Sequence, residues 1–192
     1  MSSSKETPGA RELLAEDHAA LDDLLKTLLV ALDEGEVSTI FQRLDLFWAR
    51  LAMHIRAENL HLFPAIRNQL KEIDPEGNQS SLPAEIRESI GRLRADHDFF
   101  MHELADAVKA VRNLIDSGTS DEGRCLDLVR SSIQAVSRRL KSHNAIEEGF
   151  IYGLPKELLP PNEQLKVMKG IQRELQKLPP RFDDALRNDQ SK

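Results

Sequence analysis

At 192 residues, with 40% hydrophobic and 30% charged side chains, the chain suits one soluble domain with a sizeable core. A single cysteine, Cys125, excludes both an internal disulfide framework and a Cys-based zinc or iron–sulfur cluster, so any metal has to be held by nitrogen and oxygen. The net charge of −6 argues against nucleic acid as a partner, and no apolar run approaches the roughly 18 to 20 residues of a membrane span. Met1-Ser-Ser-Ser-Lys5 leads into no apolar signal segment, so a cytoplasmic location is expected.

Four long segments with helical periodicity come after a polar tail over residues 1–10, and no stretch reads as a strand. Thr7-Pro8 has the form of an N-cap followed by proline at the first helical position. Helix one then runs to about Asp33, with Gly35 as its stop. Its stripe is Leu14, Leu21, Leu25, Leu28 and Leu32, and the position that completes it holds His18. Helix two starts near Ser38 and carries Phe41, Leu44, Phe47 or Trp48, Leu51, His54, Glu58, His61 and Ala65 on one face. Pro64 lacks an amide donor and should kink or end that helix, with Ala65 to Leu70 able to continue at an angle.

The stretch from Asp74 to Ser81 is a loop by composition. Helix three follows Leu82-Pro83 with the stripe Ile86, Ile90, Leu93, His97, Phe100 or Met101, Leu104, Val108, Val111 and Ile115, and Gly118 ends it. Helix four, capped by Thr119 or Ser120, carries Leu126, Val129, Ile133, Val136, Leu140, His143, Glu147, Phe150 or Ile151 and Leu154 before Pro155 stops it. The expected fold is all-α, an up-down-up-down antiparallel four-helix bundle over residues 11–155. A further segment, 156–192, contains a short amphipathic helix at 163–177 and a tail after Pro179-Pro180. That helix is too short to be stable alone. Capping one end or side of the bundle is preferred for it over a dimer contact, which leaves the chain a monomer or a homodimer.

Two near-copies of one stretch carry the chemistry: His54-Ile-Arg-Ala-Glu58-Asn-Leu-His61-Leu-Phe63 and His143-Asn-Ala-Ile-Glu147-Glu148-Gly-Phe150-Ile-Tyr152. Side chains four apart on a helix lie on one face about 5 to 6 Å apart, close enough to share a metal. Each copy is preceded by an Asp-His pair on a leucine-spaced helix, Asp17-His18 and Asp96-His97. One stripe histidine is usually a hydrogen-bonded core residue, but a buried glutamate costs several kcal/mol unless paired. No Lys or Arg falls on the inner stripes beside Glu58 or Glu147. Taken jointly, one histidine per helix and two uncompensated acids read as a metal site.

This order, with histidine on helices one and three and His-x-x-x-Glu on helices two and four, resembles the hemerythrin-like family, the HHE cation-binding domain. The resemblance spans about residues 11 to 155. It implies a non-haem di-iron centre in which His18, His54, His97 and His143 are terminal ligands and Glu58 and Glu147 bridge two iron ions. Ligand type alone leaves cobalt, manganese or zinc open.

Oxygen-carrying hemerythrins have a second histidine on helix three, four residues after the first, and Met101 stands there. His102 is rotated about 140° from His97 and points away unless a π-bulge intervenes. His61, two turns from His54 and one from Glu58, is the candidate fifth histidine ligand. Its alternative role is a hydrogen bond to a ligating carboxylate. Glu148 reads as a supporting or surface group, and Cys125, at the start of helix four, as too far away to take part.

The functional expectation is a protein that binds or senses dioxygen, nitric oxide or iron, with no catalytic residues beyond the metal ligands. The alternatives are a di-iron enzyme acting on peroxide or dioxygen, and a structural metal-binding bundle.

Overall fold

The computed structural model describes residues 9–75, 81–117 and 121–177. Among them every regular element is helical: α1 (Ala10–Glu34), α2 (Val37–Ala57), a π turn (Glu58–Leu62), α3 (Phe63–Ile73), α4 (Ser81–Ser117), α5 (Glu122–Gly149), a 3-10 turn (Ile151–Gly153), α6 (Leu154–Leu158) and α7 (Pro161–Leu175). None of these helices is long and apolar enough to cross a membrane. The expected caps at Thr7-Pro8 and Thr119 or Ser120, the stop at Gly118, most of the 74–81 loop and the Pro179-Pro180 tail lie outside the described residues.

Packing follows from the stripes. α1 lies against α2, α2 against α4, α4 against α5 and α5 against α1. Polar ties at the ends fix direction: Arg11 at the start of α1 donates to the Glu148 carbonyl at the end of α5, while Arg130 near the start of α5 pairs with Asp33 at the end of α1. Gly35 closes α1 in the left-handed region at φ 78°, its N–H donating to the Ala31 carbonyl at 3.0 Å, as a glycine stop requires. Glu36 then caps α2 by accepting from the amides of Ser38 and Thr39.

Two helices depart from their expected course, each at a proline. Helix two does not end at Pro64, which lies in the first turn of α3. It widens into the π turn, where the Phe63 N–H donates to the Glu58 carbonyl. Proline has no N–H to give and its ring collides with the carbonyl four residues back, and the wider turn relieves both. The extra residue also rotates the downstream helix by roughly 100°. Leu62 and Phe63 therefore turn inward, and His61 turns out of the stripe.

Helix four breaks earlier than Pro155. α5 ends at Gly149, Phe150 leaves the helical region at φ −134° and ψ −60°, and Pro155 opens α6 instead of stopping α5. The same clash would strike the carbonyl of Ile151 in a straight helix, and the chain yields one turn upstream, beside glycine, the weakest helix former there.

The interior is divided in three. One apolar cluster is built on Leu21, Leu28, Leu44, Phe47, Phe100, Leu104, Ile133 and Val136. The other is built on Leu14, Leu62, Phe63, Ile86, Leu93 and Ile151. Between them lies a polar layer, which the helices cross at a histidine: Leu14, His18, Leu21 on α1, and Leu93, His97, Phe100 on α4. α7 closes the second cluster with Val167 and Ile171, packing on α1, α2 and the π turn.

α7 reaches the π turn so closely that a Cβ at Gly170 would stand 2.5 Å from the His61 ring, whereas Gly91, exposed in α4, has open space around it. Gly170→Ala is therefore expected to destabilise the fold by about 1–3 kcal/mol through overpacking. Gly91→Ala should instead stabilise it by about 0.5–1 kcal/mol. Chemical denaturation of the two variants checks both signs, and equal effects would show that α7 is not seated on His61.

Candidate metal centre

Between the two apolar clusters, α1, α2, α4, α5 and the first residue of the π turn bring His18, His54, Glu58, His97, His143 and Glu147 together, all buried and both carboxylates fully so. His18 and His54 face each other through Nε2 atoms 3.1 Å apart, and His97 and His143 do the same at 3.2 Å. The two glutamates run between these pairs. Glu58 points Oε1 at His54 Nε2 (3.5 Å) and Oε2 at His97 Nε2 (3.2 Å). Glu147 points Oε2 at His18 Nε2 (3.3 Å) and Oε1 at His143 Nε2 (2.9 Å). Each carboxylate thus gives one oxygen to each histidine pair.

The opposite edges of the rings are held in place. His54 Nδ1 lies 3.0 Å from Asp17 Oδ2, and Arg50 donates to the other oxygen of Asp17. In the second half, His143 Nδ1 lies 3.2 Å from Asp96 Oδ2, and Arg139 Nε donates to Asp96 Oδ1 at 2.6 Å. His18 Nδ1 contacts Glu148 Oε1 at 2.7 Å, and His97 Nδ1 lies 3.2 Å from the Asn59 side-chain amide. A carboxylate on Nδ1 fixes the proton there and leaves Nε2 with its lone pair, the form in which imidazole binds a metal. Two such lone pairs about 3 Å apart repel unless a cation lies between them.

In the chain without a metal, a proton on His54 serves as that cation in the first pair. Burial works against charging His54, but the carboxylates of Glu58 and Asp17 outweigh it and lift the imidazole to about 10. His143 is raised as well, burial being overcome by Glu147 and Glu58. Burial alone would raise Glu58, yet His54 and His97 hold it well below the usual carboxylate range. Even so, Glu58 Oε2 and Glu147 Oε1 have no hydrogen-bond partner among the described residues. Orphaned carboxylate oxygens facing imidazole nitrogens are the donor set of a cation site, and these residues can hold a metal.

His61 is not brought to this cluster. The π turn directs it toward α7, where its Nε2 stands 3.7 Å from Glu174 Oε1. His102 is exposed, its ring against the Asp98 carbonyl, and Met101 packs on the first apolar cluster. Cys125 lies beside the Ala110 carbonyl.

Sequence reasoning missed Tyr152, which the break after α5 swings inward until its hydroxyl lies 2.6 Å from Glu58 Oε1 and 3.1 Å from His18 Nε2. It also missed the roles of Asp17, Asp96, Arg50 and Arg139. Their signal was present as a repeated Arg-x-x-x-His-x-x-x-Glu, at 50–58 and 139–147, opposite the repeated Asp-His.

The sequence profile of the family described as Hemerythrin HHE cation binding domain matches residues 10–153. No curated protein and no solved structure matches the chain.

The sign of the His54 shift fixes a pH dependence. Its stabilising contribution is complete below the ordinary value of about 6.5 and is lost as pH climbs through about 10. Metal-stripped protein should therefore melt at progressively lower temperature across that interval. Metal-loaded protein should lose less, because the ion replaces the proton. Melting curves on both forms check this, and parallel losses would show that the proton and the metal do not share the position.

Proposed function

The chain belongs to the Hemerythrin HHE cation binding domain family, and on that premise we propose that it is a non-haem di-iron protein that binds or senses a small diatomic ligand, dioxygen or nitric oxide. The observation that carries the reading is the division of both carboxylates between two histidine pairs, which supplies two half-sites of two nitrogens and two oxygens each. On this reading His18 and His54 would hold one ion and His97 and His143 the other, with Glu58 and Glu147 shared between the two, in an antiparallel four-helix bundle that α7 covers.

When bound, the iron pair supplies exchangeable electrons and open coordination positions for the ligand. The chain does the rest. Asp17, Asp96 and Glu148 keep the Nδ1 protons of three histidines in place, so Nε2 stays a donor. The apolar clusters on either side keep bulk water from the layer. Among the described residues no acid, base or nucleophile outside the ligand set and its supports, apart from Tyr152, comes to the centre, which favours binding over turnover.

Purified protein is expected to carry about two irons per chain, and after reduction its absorption spectrum should change reversibly with dioxygen or nitric oxide. Peroxide consumption would favour the enzymatic alternative, and about one metal per chain would reject the paired site. Glu58→Ala and Glu147→Ala should each abolish retention of the pair. Glu148→Gln, which removes only a support of His18, should weaken it by about 10- to 100-fold. His102→Ala should change nothing, and metal analysis after dialysis against a chelator ranks the four.

A further inference from the structure

The two halves of the centre are near-copies, and they differ most in the aromatic ring above the histidines. The last aromatic of each duplicated stretch lies over a histidine: Phe63 is stacked on His97 with ring centroids 5.8 Å apart, and Tyr152 lies over His18 at 5.5 Å. The tyrosine alone brings an oxygen. Its hydroxyl stands 2.6 Å from Glu58 Oε1, 3.2 Å from Glu147 Oε2, 3.1 Å from His18 Nε2 and 3.4 Å from His54 Nε2. These are the four donor atoms of the His18/His54 half. An ion bonded to nitrogen and oxygen ligands sits about 2.0–2.2 Å from each of them. No ion can enter among these atoms without meeting the hydroxyl, which has either to bind it or to leave.

The unpaired oxygens show the same asymmetry. Glu58 Oε1 and Glu147 Oε2, on the tyrosine side, both lie within reach of the hydroxyl, whose single proton is nearer Glu58 Oε1. Glu58 Oε2 and Glu147 Oε1, on the phenylalanine side, have no hydrogen-bond partner among the described residues and face the Nε2 atoms of His97 and His143 at 3.2 and 2.9 Å. Tyr152 is 2% exposed and is held in the 3-10 turn between the end of α5 and α6. Beyond it lies a surface cavity of about 560 Å³, lined among others by Arg11, Glu12, Lys156 and Gln164.

We propose that Tyr152 is a protein ligand to one metal only, its Oη bound to the ion held by His18 and His54, so that the two ions of the centre are chemically inequivalent. As the oxygen–metal bond forms the phenolic O–H bond breaks, and its proton passes by way of Glu58 Oε1, 2.6 Å away, to bulk solvent. Tyr152 also lines the cavity, so its ring stands between this half of the centre and solvent, and the His97/His143 half would have one protein donor fewer. The assignment rests on the two-metal reading given above.

The chain contains one tyrosine, so any tyrosinate signal belongs to Tyr152 without need of a variant. Wild-type protein is loaded with ferrous iron, oxidised, and examined by metal analysis and by resonance Raman excitation across the visible band. Two irons per chain, with a phenolate-to-iron charge-transfer band and its enhanced ring vibrations, is the expected result. Tyr152→Phe should abolish both signals while leaving the far-UV spectrum intact. Two irons with no ring vibrations in the wild type would overturn the tyrosine assignment and leave the paired centre standing. One iron in the wild type and two in Tyr152→Phe would also overturn it, making the hydroxyl a plug. A wild-type chain that takes up no metal in either form would overturn both readings. The wild-type spectrum decides the matter even where the variant does not fold.

Discussion

Two carboxylates sit at the middle of a helical protein with no lysine or arginine paired to them among the described residues, and the rest of the structure is arranged around that constraint. Glu58 and Glu147 are fully buried. An unpaired carboxylate in such a place costs several kcal/mol, as much as an entire small domain has to spare. Arg50 and Arg139 are close by, yet each is spent on an aspartate behind a histidine and not on a glutamate. The glutamates are left to the four imidazoles and the Tyr152 hydroxyl, and the imidazoles to whatever cation they share. In the metal-free chain that cation is a proton, held on His54 far above its ordinary range. On the proposed reading it is a pair of ions, which removes the repulsion between facing nitrogens and satisfies the orphaned oxygens together.

The fold meets this constraint through duplication. α1 with α2, and α4 with α5, each contribute an Asp-His from one helix and an Arg-x-x-x-His-x-x-x-Glu from the other. In both pairs the aspartate beside one histidine grips the histidine of the neighbouring helix. This cross-brace sets the register of each pair and aims its nitrogens inward. The pairs then differ where chemistry can use a difference: Glu148 against Asn59 behind the rings, and Tyr152 against Phe63 above them.

Much of this was legible in the sequence, because a stripe with a step of three or four residues leaves its polar interruptions in plain view. His18, His54, Glu58, His97, His143 and Glu147 are found that way, and all six lie together in the structure. What the stripe cannot reveal is a change of its own period. Pro64 permits an end, a kink or a widened turn, and the widened turn carried His61 away to Glu174. Pro155 marked a stop, but the strain was relieved one turn earlier, at Gly149 and Phe150. In an unbroken helix Tyr152 would stand about 140° from Glu147 and outside the site. The partners of Asp17 and Asp96 were hidden for another reason, since they depend on which helix lies alongside.

Whether the two half-sites act as one centre depends on the shared carboxylates, and the magnetic state of the iron-loaded protein tests that most directly. Two ferric ions bridged by Glu58 and Glu147 should couple their spins. The expected result is a diferric protein silent in electron paramagnetic resonance, with Mössbauer spectra of a coupled pair made of two distinguishable sites. An uncoupled high-spin ferric signal accounting for all the iron would contradict it.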